Sequence, residues 1–105
     1  MRLNARNRPT TPEVVSPELF TQARWVELAE MIGLTQRQRE VAVLICRGHT
    51  NGRIAAELRV SFGTVRLHVY RLFRRMSVCS RVGAVVQLVL AERALERRQR
   101  RGKRR

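Results

Sequence analysis

Between Thr50 and Met76 two helical patterns are joined by only two residues, Arg59 and Val60. So short a connection forces the second helix to cross the first rather than run away from it. The first helix is short. Thr50 caps it, and Ile54, Ala55 and Leu58 form its apolar side over 51–58. Small Ala55 suits the point where the two helices cross. The second helix is longer, running from a Ser61 cap to about Met76. Val60 and Val65 stand at the N′ and N4 positions of a hydrophobic staple.

The flanking sequence repeats this punctuation. Thr35 caps a helix over 36–47, and Gln38 three residues on completes a capping box. Gly48 is its natural stop. Ser80 caps a last helix over 81–96. Upstream, Ser16-Pro17-Glu18 reads as a helix start: a good N-cap, a proline fit for the first turn, and an acid at the positive end of the dipole. Val15 and Phe20 have staple spacing, and Gly33 ends that helix. Its apolar recurrence is Leu19, Ala23, Val26 and Ala29, with Trp25 and Leu28 beside it. The chain is therefore expected to be all-α. Residues 1–15 are expected to be a mobile basic arm, 16–33 an added N-terminal helix, 34–96 the main domain, and 97–105 (RRQRRGKRR) a disordered basic tail.

A chain of 105 residues makes one small domain. Its longest apolar run, GAVVQLVLA at 83–91, is too short to span a membrane. With no signal peptide in view, the cytoplasm is the expected location. Cys46 and Cys79 sit in apolar, helix-like surroundings and read as small buried hydrophobes. With His49 and His68 they match no zinc spacing, so no metal and no cofactor are expected. The eight acids form no pairing with a nucleophile or histidine that would do catalysis, and no glycine-rich phosphate loop occurs.

The net charge is +14, and every cation except Lys103 is Arg. Such a surface draws polyanions. Between Glu57 and Glu92 there is no acid, so the arginines of the long helix lack local partners. At 100° per residue, Phe62, Val65, Val69, Leu72, Phe73 and Met76 share one face of that helix. Gly63, Leu67, Tyr70 and Arg74 lie opposite, with Arg66 on one flank and Thr64, Arg71 and Arg75 on the other. An Arg fork can bond bidentately to guanine, and an apolar side chain can touch a thymine methyl. A membrane surface or a partner protein could take the same basic segment, but lipid would need the Val65/Val69/Leu72 face, which the caps and neighbouring apolar helices reserve for a core.

The run LTQRQREVAVLICRGHTNGRIAAELRVSFGTVRLHVYRLFRRMSVCSR resembles the DNA-binding domain of LuxR/FixJ/NarL-type bacterial transcription regulators. The likeness rests on Leu34, Thr35, Arg37, Arg39, Glu40, Val41, Gly48, Asn51, Ile54, Ala55, Leu58, Ser61, Thr64, Val65, His68, Val78, Ser80 and Arg81, collinear without gaps. It implies a tetrahelical helix-turn-helix domain with helix 62–76 in the major groove. It departs at Gly52-Arg53, where Lys-Glu is usual, and at Arg59, where a turn glycine is usual. Both departures add positive charge at a local cost, as a phosphate-facing surface would.

The resemblance implies base readout by Arg66, Leu67 and Tyr70. Thr50, Asn51, Arg53, Arg59, Ser61, Thr64, Arg71, Arg74 and Arg75 are the expected phosphate binders. His68 is expected to pack rather than read bases. The last helix carries two apolar stripes, Val82, Val85, Val86, Val89 and Ala84, Leu88, Ala91, Leu95. One can pack inward. The valine stripe is expected to join two copies in a homodimer, unless the N-terminal helix covers it. Double-stranded DNA is the expected partner, with RNA polymerase a candidate. The residues before 34 are too few for a receiver or ligand-binding domain, so control by abundance or by a partner is expected. A promoter-reading module like the fourth region of sigma factors shares the LTxREREV and TV elements. The continuation SVCSRVGAVVQLVL favours the LuxR-type reading.

Overall fold

A computed structural model describes residues 18–103. The expected arm, Val15 and the Ser16-Pro17 start lie outside them, as do Arg104 and Arg105. Five helices follow in order: α1 (Gln22–Ile32), α2 (Gln36–Cys46), α3 (Asn51–Leu58), α4 (Phe62–Met76) and α5 (Arg81–Lys103). No strand occurs among the described residues, and no helix there is long and apolar enough to cross a membrane.

The caps work as the side-chain chemistry dictates. Thr35 Oγ1 accepts from the Gln38 N–H at 3.1 Å, and the Thr35 N–H donates to Gln38 Oε1 at 2.9 Å. Thr50 accepts from the Arg53 N–H at 3.1 Å, Ser61 from Thr64 at 3.0 Å and Ser80 from Gly83 at 3.0 Å. Each satisfies a first-turn donor that the helix leaves open.

Two ends differ from expectation. Helix α1 starts at Gln22, because Thr21 caps it and residues 18–20 are not helical. Its staple is Phe20 against Trp25, ring centroids 5.2 Å apart and edge to face, an N′–N4 pair for the Thr21 cap. The face that α1 buries is Trp25, Leu28 and Ala29, while Leu19, Ala23 and Val26 are exposed. At the other end, 97–103 is not irregular but continues α5. Arg24 of α1 donates to Gln99 Oε1 at 3.1 Å, Gln99 donates to Glu27 at 2.8 Å, and Arg24 pairs with Glu92 at 3.5 Å. These bonds tie the polar end of α5 to α1 in place of the apolar contacts it lacks.

The core joins all five helices. Val41, Ala42, Leu44 and Ile45 of α2 meet Ile54 of α3, Val65, Leu72 and Met76 of α4, Ala84 and Leu88 of α5, and Trp25 of α1. Val65 and Leu72 are fully buried and Val69 half-buried, so a lipid surface has no access to that face in the folded chain.

The cysteines part company. Burial pushes the Cys46 thiol up to about 11, whereas Cys79, expected to be buried, is exposed in the α4–α5 turn. Only the thiolate attacks. A thiol reagent at neutral pH is therefore expected to label Cys79 first, with Cys46 roughly tenfold or more slower. Mass spectrometry of a timed quench measures this, and unfolding in denaturant should remove the difference.

Candidate nucleic-acid interface

The interface is built on α3 and α4. On α4, Arg66, Leu67 and Tyr70 all point outward, with Tyr70 56% exposed. The buried residues Val65, Leu72 and Met76 hold the helix down from the other side. Arg74 donates to the Tyr70 hydroxyl at 3.1 Å, and its guanidinium carbon lies 5.8 Å from the ring centre. Tyr70 and Arg74 thus form one coupled unit a helical turn long. His68 is half-buried.

Phe62 breaks from its expected face. Periodicity groups it with Val65 and Val69, but it is 53% exposed. It belongs to the first turn of α4, beyond the cover of the core, and borders an open recess with Gly48, His49, Thr50, Asn51, Gly52 and Arg81.

Hydroxyl donors remain along the edge of this surface. Ser61 Oγ donates to Thr64 Oγ1 at 2.8 Å. The proton of Thr64 is then free to point outward. Thr50 uses only its oxygen as a cap acceptor, so its proton is likewise available. Asn51 Oδ1 accepts from Arg81 Nη2 at 2.6 Å, which leaves the Asn51 amide hydrogens as donors. Arg81 also donates to the His49 carbonyl at 2.6 Å. The sequence reading gave Arg81 no role, yet it fastens the start of α5 to the start of α3. The acid-free stretch around it was the available clue: its partner had to be a neutral oxygen.

Arg59 adopts φ 59° and ψ 45°, the left-handed conformation that closes α3. A non-glycine residue there costs roughly 1 kcal/mol. Arg53 sits at the positive end of α3, where its charge costs a few tenths of a kcal/mol. Both side chains are exposed. Arg75 does not join them. Its Nε donates to the Ile32 carbonyl at 3.1 Å, clasping the C-terminus of α1. Its guanidinium lies where a Cβ on Gly33 would fall, 2.1 Å from Nη2. Arg75 is thereby engaged with α1 rather than grouped with the other expected phosphate binders.

Charge is segregated over the fold. The ion pairs engage Arg24, Arg37, Arg47 and Arg100 with Glu27, Glu92, Glu40, Glu18 and Glu96. Among the described residues, none of Arg53, Arg59, Arg66, Arg71 and Arg74 has an ion pair. A surface with unneutralised arginines, hydroxyl donors and the exposed Leu67 and Tyr70 suits the grooved, anionic surface of a duplex.

On α5, Ala84, Leu88 and Leu95 are buried, while Val82 is 73% exposed, Val86 is also exposed, and Val85 and Val89 are half-buried. Helix α1 therefore packs against α5 without covering the valine stripe.

The family model described as bacterial regulatory proteins, luxR family, matches residues 33–88. The chain is 36% identical over 84 residues to the HTH-type transcriptional regulator MalT of Yersinia enterocolitica, and to that of Yersinia pestis. These matches take in 80% of the chain but 9% of the length of each relative. No solved structure matches the chain.

Proposed function

The chain belongs to the luxR family of bacterial regulatory proteins, and from that premise we propose that it regulates transcription by laying α4 in the major groove of double-stranded DNA. The observation that carries this reading is the outer face of α4, where Arg66, Leu67 and Tyr70 are exposed together on a helix whose other face is locked in the core. Arg66 takes a guanine edge; Leu67 and Tyr70 read beside it. Thr50, Asn51, Arg53, Arg59, Thr64, Arg71 and Arg74 hold phosphates and fix the register without reading sequence, while Ser61 gives its one hydroxyl proton to Thr64 and acts through it.

Two copies join through Val82, Val85, Val86 and Val89, which removes the exposed valines from water. A two-fold pair sets its recognition helices about one DNA turn apart, ~34 Å. Contact with RNA polymerase would follow from regulation at a promoter. The family likeness supports it only in kind.

Binding of a labelled duplex across a salt series tests the proposal, with anionic vesicles as competitor. Log affinity is expected to fall linearly with log salt, with a slope near −0.9 per phosphate neutralised, and vesicles should not displace the duplex. Salt-independent binding, or transfer to vesicles, contradicts it. Removing residues 97–105 takes away cations, one Gly and Gln99, whose bonds to Arg24 and Glu27 go with it, so the truncated chain is compared with Gln99→Ala as the control for that lost tie. That truncation is expected to flatten the slope and weaken all duplexes alike. A change in which sequence is preferred would show that the end of α5 takes part in readout.

A further inference from the structure

We infer that Phe62 is a further specificity-determining residue, which reads the 5-methyl group of a thymine near the guanine held by Arg66. This rests on the DNA reading above. Three large apolar side chains of α4 are exposed: Phe62, Leu67 and Tyr70. Leu67 and Tyr70 lie on the reading face. Phe62 stands four residues before Arg66 and about 40° round the helix from it, on the flank between the core face and the reading face, and its exposure leaves the ring open one turn nearer the N-terminus. The N-terminal part of a recognition helix is the part that meets base edges.

Chemistry narrows what Phe62 meets. A phenylalanine ring offers no hydrogen bond to a phosphate or a base edge. The apolar feature that the major groove displays is the thymine methyl, and it distinguishes T from the other three bases. Four residues advance a helix by roughly 6 Å, close to two base steps of about 3.4 Å. The thymine therefore lies about two base pairs from the guanine held by Arg66. On its far side the ring borders the recess that Thr50 and Asn51 also line, the two side chains proposed above to hold a phosphate, so ring and recess together would span one base edge and its backbone. The first turn of a helix favours small polar or acidic residues and proline. A half-exposed phenylalanine there gives the free chain neither a cap nor a place in the core.

Uracil differs from thymine by that methyl alone. Once a bound site is known, each thymine is replaced in turn by deoxyuridine and the affinity of the full chain measured. One position, about two base pairs from the Arg66-dependent guanine, should weaken by about fourfold, the factor for burying one methyl group. Phe62→Ala and Phe62→Gln should erase that difference while melting as the parent does. Phe62→Leu should keep part of it. A flat deoxyuridine scan on a site whose preference still depends on Arg66 overturns this inference and leaves the DNA reading intact. So does a scan in which Phe62→Ala keeps the full difference, because Leu67 would then be the methyl reader. A chain that binds no duplex in preference overturns both.

Discussion

Arg66→Ala is expected to weaken binding to the preferred duplex by ~1–3 kcal/mol, about 5- to 150-fold. The loss should fall on one base position per half-site and leave non-specific affinity nearly unchanged. Arg66 is exposed, and among the described residues it has no ion pair, so its removal leaves no buried group stranded and the fold should melt as before. Two bonds to a guanine edge are lost on binding, and any base pair can then occupy that position. Equilibrium titration against all four base pairs there separates the two components. Arg71→Ala is the internal contrast, since a phosphate contact should cost every duplex the same and lower the salt slope by about one unit.

Val86→Asp is expected to separate the two protomers and to lower affinity for a two-fold site by about 10²- to 10⁴-fold, toward that of a half-site. The valine is exposed on α5, so an aspartate stays solvated in the single chain but is forced against its own image in the pair. Sedimentation should show the parent as a dimer and the variant as a folded monomer that melts like the parent diluted below its dimer dissociation. A parent that sediments as a monomer, on and off DNA, would rule out the valine stripe as an interface. Val69 and Leu72 offer no such experiment, because they are packed in the interior and substitutions there act on folding first.

Much of the fold was legible because its helix starts are local. Thr35, Thr50, Ser61 and Ser80 each reach only three residues ahead, and a three-residue pattern can be read from letters. The start of α1 was misplaced because two good cap signals stand close together, and the Phe20–Trp25 contact is formed at the second. The end of α5 was misjudged for the opposite reason. A run of arginines lacks the apolar period of a packed helix, and what fixes it is a set of polar bonds to α1 across more than seventy residues of sequence.

The site divides in the same way. Helical period placed Arg66, Leu67 and Tyr70 on the open face of α4. It could not tell that Phe62 escapes the core, because period gives the direction of a side chain and not where the neighbouring helix ends. Arg75 and Arg81 bond to backbone carbonyls 43 and 32 residues away. No local spacing announces such a bond, so one was taken for a phosphate binder and the other passed over.

The central claim is that α4 reads base edges from a two-fold pair. Selection of bound sequences from a random duplex pool with the full chain tests it most directly, run in parallel with Arg66→Ala. The account predicts an inverted repeat whose half-site centres lie about one helical turn apart, ~34 Å, with one position per half-site losing its preference in the variant. No enriched sequence at any salt concentration, or an enriched sequence that Arg66→Ala leaves unchanged, would contradict it.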